Sequence, residues 1–166
     1  MGVAMVRQRW LTLAGVVGLA YWFFGNLYEA VVISPNWVAD NPAQLTRLNE
    51  FFVHTSPTWY FVPVGLIGPV LTWLTAFTNR EPALTGTYRR AAGFTAAAVL
   101  VAVVMIVVLI SRLFGADYAS YGAELTTYAW WWNGLNVLRM ALTATAGVYL
   151  FGAFRVLDRR AVQVMG

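Results

Sequence analysis

The chain has 166 residues, of which 60% are hydrophobic and 11% are charged, and its mean hydropathy is +0.62. Soluble domains carry about 25% charged residues, so this composition excludes an ordinary soluble domain and predicts an integral membrane protein with one domain, residues 1–166. Without cysteine, and with His54 as its one histidine, a single chain cannot build disulfides, cysteine-ligated metal centres or a multi-histidine metal or haem site, so we expect no metal and no cofactor.

Four long apolar runs predict an all-α bundle of four membrane-spanning helices, at about 10–33, 57–77, 91–110 and 128–154. The first run is too long for the apolar core of a signal peptide, so we expect it to be retained as a helix. Ser34-Pro35-Asn36 is predicted to end this helix. Pro63 and Pro69 predict a kink in the second helix.

A short amphipathic helix is predicted in the loop between the first and second runs. Asn41 is expected at its N-cap with Pro42 at its first helical position. Apolar residues then recur at helical spacing: Leu45, Leu48, Phe51 and Phe52. We expect this helix to lie on the membrane surface or over the mouth of the bundle. Residues 78–90 are predicted to be a polar loop before the third helix.

The net charge of +4 comes entirely from arginine, and most arginines flank the apolar runs. This pattern indicates membrane topology rather than nucleic-acid binding, so the expected partner is the lipid bilayer and not a nucleic acid. Arginines cluster near both chain ends and between the second and third runs, which predicts that both termini are cytoplasmic. The absence of lysine suggests a GC-rich bacterial genome and therefore a bacterial cell membrane.

Polar and aromatic side chains form one stripe on the first helix and one on the fourth. Trp22, Asn26 and Glu29 are spaced by four and three residues, and Trp132, Asn136, Arg139 and Thr143 by four, three and four. An arginine inside a membrane is costly and usually has a partner in the protein interior. Glu29 is the best partner in the sequence, about one helical turn away in depth, and a long arginine side chain can extend across such a gap.

These stripes predict a polar site in the outer half of the bundle. The candidate catalytic residues are Glu29, Arg139 and His54. The candidate substrate-binding residues are Trp22, Asn26, Tyr28, Trp132, Asn133, Asn136 and Thr143. An alternative stays open, in which the polar cluster only fastens two helices together and His54 is an ordinary surface residue.

The pattern Trp132-Asn133-x-x-Asn136-x-x-Arg139, in the last of four short-looped helices, resembles the anthrone oxygenase-like family of small four-helix membrane proteins. The resemblance implies oxidation of an anthrone to an anthraquinone by O₂ without a metal or organic cofactor. Such a reaction needs a base for a carbon acid and a group that holds the resulting enolate. Glu29 or His54 would be the base, and Arg139, with Asn133 and Asn136, would hold the enolate.

We therefore expect a membrane enzyme of natural-product (secondary) metabolism that acts on a lipophilic, aromatic polyketide-like substrate. One alternative is a proton-initiated terpenoid cyclase, in which protonated Glu29 is the acid and the rings of Trp22, Tyr28 and Trp132 stabilise a carbocation. A nearby arginine disfavours this, because it stabilises the ionised carboxylate. The other alternative is a non-enzymatic protein that binds or transports lipids or small molecules, for which a homo-oligomer could form a pore.

Overall fold

The computed structural model describes residues 3–54, 57–115 and 117–165, which are all-α. Helix α1 (Val3–Tyr28) continues through a π-helical segment (Glu29–Ile33) into α2 (Ser34–Val38). The next helices are α3 (Ala43–Phe51), α4 (Pro57–Gly65) and α5 (Ile67–Thr78). Helix α6 (Pro82–Val104) continues through a second π-helical segment (Met105–Ile110) into α7 (Ser111–Phe114), and a 3₁₀ turn (Tyr118–Tyr121) leads to α8 (Glu124–Met165).

Four helices in the described part of the chain are long and apolar enough to cross a membrane, namely Ala4–Val38, Trp59–Thr78, Pro82–Phe114 and Glu124–Gln163. The short helix α3 lies between the first and second of them. The predicted all-α fold with four membrane helices and one short helix is therefore confirmed. The length and composition of these helices indicate a small multi-pass membrane protein.

Several predicted helix boundaries are wrong, and the fourth helix, for example, runs from Glu124 to Met165 rather than from about 128 to 154. Residues 82–90 are helical rather than loop, because hydropathy marks only the part of a helix that suits hydrocarbon, while backbone hydrogen bonding continues beyond it. The first helix does not end at Ser34-Pro35-Asn36 but continues to Val38. In the π-helical turn before Pro35, the Ser34 N–H bonds to the Glu29 carbonyl, five residues back. This wider turn makes room for the proline ring, which would clash with a carbonyl four residues back in a regular helix.

Helix α3 begins at Ala43, so Pro42 rather than Asn41 occupies the N-cap position, and no side chain caps the helix. The second spanning helix is interrupted at Leu66, between α4 and α5. Because the ring of Pro69 would meet the carbonyl of Gly65 in a continuous helix, the break occurs where this proline requires it.

Helices α1 and α5 cross at Gly18 and Gly68. A Cβ atom added to Gly68 would lie 2.5 Å from the carbonyl carbon of Gly18, so the two backbones are in direct contact. Small residues allow this close approach between membrane helices. The crossing sets the position of α4 against the later part of α1, which is the region of the candidate site.

Two ion pairs join chain segments at one end of the bundle. Arg9 lies 2.6 Å from Asp158, and Arg160 lies 2.7 Å from Glu81. The start of α1, the turn before α6 and the end of α8 therefore share this end. At the opposite end, which we call the α3 end, α2 and α3 pack in an apolar cluster that includes Trp37, Leu45, Leu113 and Leu125. The cytoplasmic location of the termini stays a prediction.

We expect Gly68→Ala to lower the free energy of unfolding by about 1–3 kcal/mol, because the added methyl group must force two helix backbones apart. Thermal unfolding in detergent would measure the loss. Gly147→Ala is the matched control, since a Cβ atom there meets nothing within 4 Å. Equal melting temperatures for the two variants would contradict the close crossing.

Candidate functional site

The carboxylate of Glu29 accepts hydrogen bonds from three side chains. Ser34 Oγ donates to Oε1 at 2.6 Å, Trp132 Nε1 donates to the same oxygen at 3.1 Å, and Asn136 Nδ2 donates to Oε2 at 2.6 Å. An ionised carboxylate only accepts hydrogen bonds, so these three donors match its charged form and hold it in one orientation.

The π-helical segment explains the contact between Glu29 and Ser34. In a regular α-helix, side chains three or four residues apart are neighbours, whereas a residue five positions on has turned away. The wider turn that begins at Glu29 brings the buried Ser34 hydroxyl back to the carboxylate. Sequence reasoning missed Ser34 because it assumed a regular helix that ended there. π-helical turns within α-helices occur often at functional sites.

Asn136 lies between the two charged residues. Its buried amide nitrogen donates to Glu29 and also, at 3.3 Å, to the backbone carbonyl of Asn26. Its amide oxygen accepts from Arg139 Nη2 at 2.8 Å. The same Nη2 donates to Asn26 Oδ1, and Asn26 Nδ2 donates to the Trp22 carbonyl at 2.6 Å. Both amides thus turn their oxygen to the cation and their nitrogen to an acceptor.

The contact expected between Glu29 and Arg139 is therefore indirect. No ion pair joins them in the described residues. The sequence suggested that the arginine side chain would extend over a depth difference of about one helical turn to reach Glu29. In the structure, Asn136 connects the two residues instead, because its amide donates to Glu29 and accepts from Arg139. Arg139 instead lies beside Trp22, with its Cζ 6.0 Å from the indole centroid. Its Nε is buried and lacks a hydrogen-bond partner among the described residues.

A groove of about 820 Å³ opens beside Glu29. Of the eleven lining residues that the structure describes, seven are aromatic and Glu29 is the only charged one. Helix α1 contributes Tyr21, Phe24, Gly25 and Tyr28, while the opposite walls contain Phe51, Phe52, Tyr60 and Phe61. The carboxylate of Glu29 therefore borders both the buried polar network and an apolar groove.

The predicted site residues fall into three groups. Trp22, Asn26, Glu29, Trp132, Asn136 and Arg139 come together in one network. Tyr28 lines the groove but is 60% exposed, and Thr143 is buried with its hydroxyl bonded to the Arg139 carbonyl of its own helix. Asn133 is half-buried, and no side-chain hydrogen bond of it is found in the described residues. His54 is exposed and is not among the residues that line the groove.

The aromatic groove was not predicted, although one of its walls left a signal in the sequence. Tyr21, Phe24, Gly25 and Tyr28 follow the i, i+3, i+4, i+7 spacing of one helix face. Nothing local indicates that Phe51 and Phe52, which follow in a different helix and its C-cap, form the facing wall.

In the described parts of the chain, no three His, Cys, Asp or Glu side chains lie together as metal ligands would. Comparisons with protein-family models, curated proteins and solved structures found no match to this chain. The function is therefore inferred from the geometry of the site.

We expect Asn136→Ala to lower the free energy of unfolding by about 1–3 kcal/mol, because it removes donors to Glu29 and Asn26 and an acceptor for Arg139 inside the protein. Denaturant titration in detergent micelles would measure the effect. Asn133→Ala, three residues away on the same helix, should change stability by less than half as much. Similar losses for both variants would contradict a specific bridging role for Asn136.

Proposed function

We propose that the chain is a membrane-embedded enzyme that performs acid–base chemistry on an apolar aromatic substrate, with Glu29 as the base. The observation that carries this proposal is that Glu29 is the one charged residue among the described lining residues of an aromatic groove of about 820 Å³. Ligand sites are commonly apolar clefts of this size with a few positioned polar groups. A lipophilic molecule could enter such a groove from the bilayer.

The polar network supports this role because it positions the base. Ser34, Trp132 and Asn136 hold the carboxylate in place at the edge of the groove. Arg139 does not line the groove, so its role is positioning: its charge orients the amide of Asn136, which in turn holds Glu29. Arg139 was expected to hold the enolate, but a residue that lines the groove is better placed to do so. Tyr28, next to Glu29, has a hydroxyl that could donate a hydrogen bond to the enolate oxygen.

The reaction that we favour is cofactor-free oxygenation of an anthrone-like substrate, because the pattern Trp132-Asn133-x-x-Asn136-x-x-Arg139 resembles the anthrone oxygenase-like family. Glu29 would take a proton from the methylene carbon, and the resulting enolate would bind and reduce O₂ to a peroxide. Glu29 would then return the proton to form a hydroperoxide. Loss of the second C–H proton together with hydroxide gives the ketone. Overall, one anthrone and one O₂ give one anthraquinone and one water.

Oxygen uptake by the purified protein, supplied with a panel of anthrones in detergent or lipid, tests this reaction. We expect Glu29→Gln to reduce the rate by about 10²- to 10⁴-fold, because glutamine keeps the shape of the side chain but cannot act as the base. Quinone formation, followed by absorbance, would measure the same loss independently.

Glu50→Gln is the matched control, since it makes the same change at an exposed position of α3 and should leave the rate unchanged. A Glu29→Gln protein that consumes oxygen at the rate of the original protein would contradict the proposal.

A proton-initiated terpenoid cyclase is the second candidate. The aromatic groove favours it, because ring faces stabilise carbocations. The three donors to Glu29 oppose it, because they match an ionised carboxylate rather than an acid. Under argon, a cyclase would still convert a polyprenyl epoxide, whereas the oxygenase would stop.

Folded protein that binds ligands but converts none would instead indicate a non-enzymatic role in lipid or small-molecule binding or transport.

The same proposal locates the chain in a bacterial cell membrane with both termini cytoplasmic. The ion pairs Arg9–Asp158 and Glu81–Arg160 support it, because they bring three arginine-bearing segments to one end of the bundle. The groove and Glu29 would then lie toward the outer face.

A further inference from the structure

Tyr21 and Tyr60 form a stacked pair in the wall of the groove. Their ring centroids are 4.8 Å apart and their planes differ by 28°. Tyr21 belongs to α1 and Tyr60 to α4, and both line the groove that contains Glu29. Gly25 permits this arrangement, because a Cβ atom there would meet the Tyr60 ring at 3.1 Å and the Phe61 ring at 3.0 Å.

Tyr21, one member of the pair, lies at a distance from Glu29 along α1. Tyr21 precedes Glu29 by eight residues, which corresponds to about 12 Å along the axis of a helix. Four phenylalanines, which offer no hydrogen-bonding side-chain group, complete the aromatic lining: Phe24, Phe51, Phe52 and Phe61. The third tyrosine, Tyr28, is adjacent to Glu29. The groove therefore has two stacked phenols on the Tyr21 side, a carboxylate with a third phenol beside it at Glu29, and phenylalanine rings in the rest of its aromatic lining.

We propose that Tyr21 and Tyr60 determine substrate specificity by hydrogen bonding to an oxygen substituent on the far ring of a fused polycyclic substrate. A phenol can both donate and accept, so the pair suits either a hydroxyl or a ketone oxygen. Holding that oxygen decides which carbon of the substrate lies against Glu29. Sites built to bind a substrate hydroxyl discriminate strongly against analogues that lack it. This inference rests on the proposed function, whose base it leaves unchanged.

Binding without turnover tests the pair. The probes are anthraquinone and a hydroxyanthraquinone with its hydroxyl on a terminal ring, titrated into the purified full chain in detergent under argon and followed by quenching of tryptophan fluorescence. We expect the original protein to bind the hydroxylated probe about three- to tenfold more tightly, as one hydrogen bond allows. Tyr21→Phe and Tyr60→Phe should each reduce this preference and leave the affinity for anthraquinone unchanged, because phenylalanine keeps the ring stack.

Tyr149→Phe is the matched control. Tyr149 stacks on Phe94 with centroids 5.8 Å apart and does not line the groove, so its substitution should keep the preference. The proposal is overturned if the original protein shows no preference, or if the preference survives both Tyr21→Phe and Tyr60→Phe. Glu29→Gln separates the two proposals: it should retain the preference while oxygen uptake is lost, so retained uptake would count against the base and not against the tyrosines.

Discussion

The guanidinium of Arg139 inside a membrane helix is the constraint on which the rest of the site depends. A cation in hydrocarbon must find its partners within the protein. Helix α1 supplies Asn26, and α8 supplies Asn136, whose amide also donates to the opposite charge on Glu29. Because Asn26, Asn136 and Glu29 each contact a specific partner, sliding α8 along α1 by one turn would leave a buried charge unpaired. The network therefore selects one register for the two helices.

The same network explains why Glu29 lies at the edge of the groove. Its carboxylate balances the charge of Arg139 through Asn136 on one side and borders the aromatic walls on the other. The π-helical turn before Pro35 sets this position, because it directs Ser34 onto the carboxylate while the chain continues to the α3 end. The hydrogen bonds that balance the buried charge of Arg139 therefore also fix the carboxylate of Glu29 at the edge of the groove.

Among the described residues that line the groove, the polar side chains are Glu29 and three tyrosines, and the rest are apolar. Phe51 and Phe52, at the end of α3, form part of the wall of a groove whose lining is mostly aromatic. Glu29 and the stacked phenols of Tyr21 and Tyr60 occupy different parts of this groove, so its polar groups are unevenly distributed.

The number of membrane helices follows from the sequence by itself, because the stability of a helix in hydrocarbon depends on the length and composition of each run. The spacing of Asn26 and Glu29, and of Asn136 and Arg139, likewise predicts shared faces, because helical periodicity is local. Only the tertiary structure decided that Asn136 separates the two charges, since this depends on the relative height and rotation of two helices. The contact of Ser34 with Glu29 also depends on the tertiary structure, because a π-helical turn changes the number of residues per helical turn. The same is true of the groove, because its walls come from separate helices whose packing no local sequence pattern predicts.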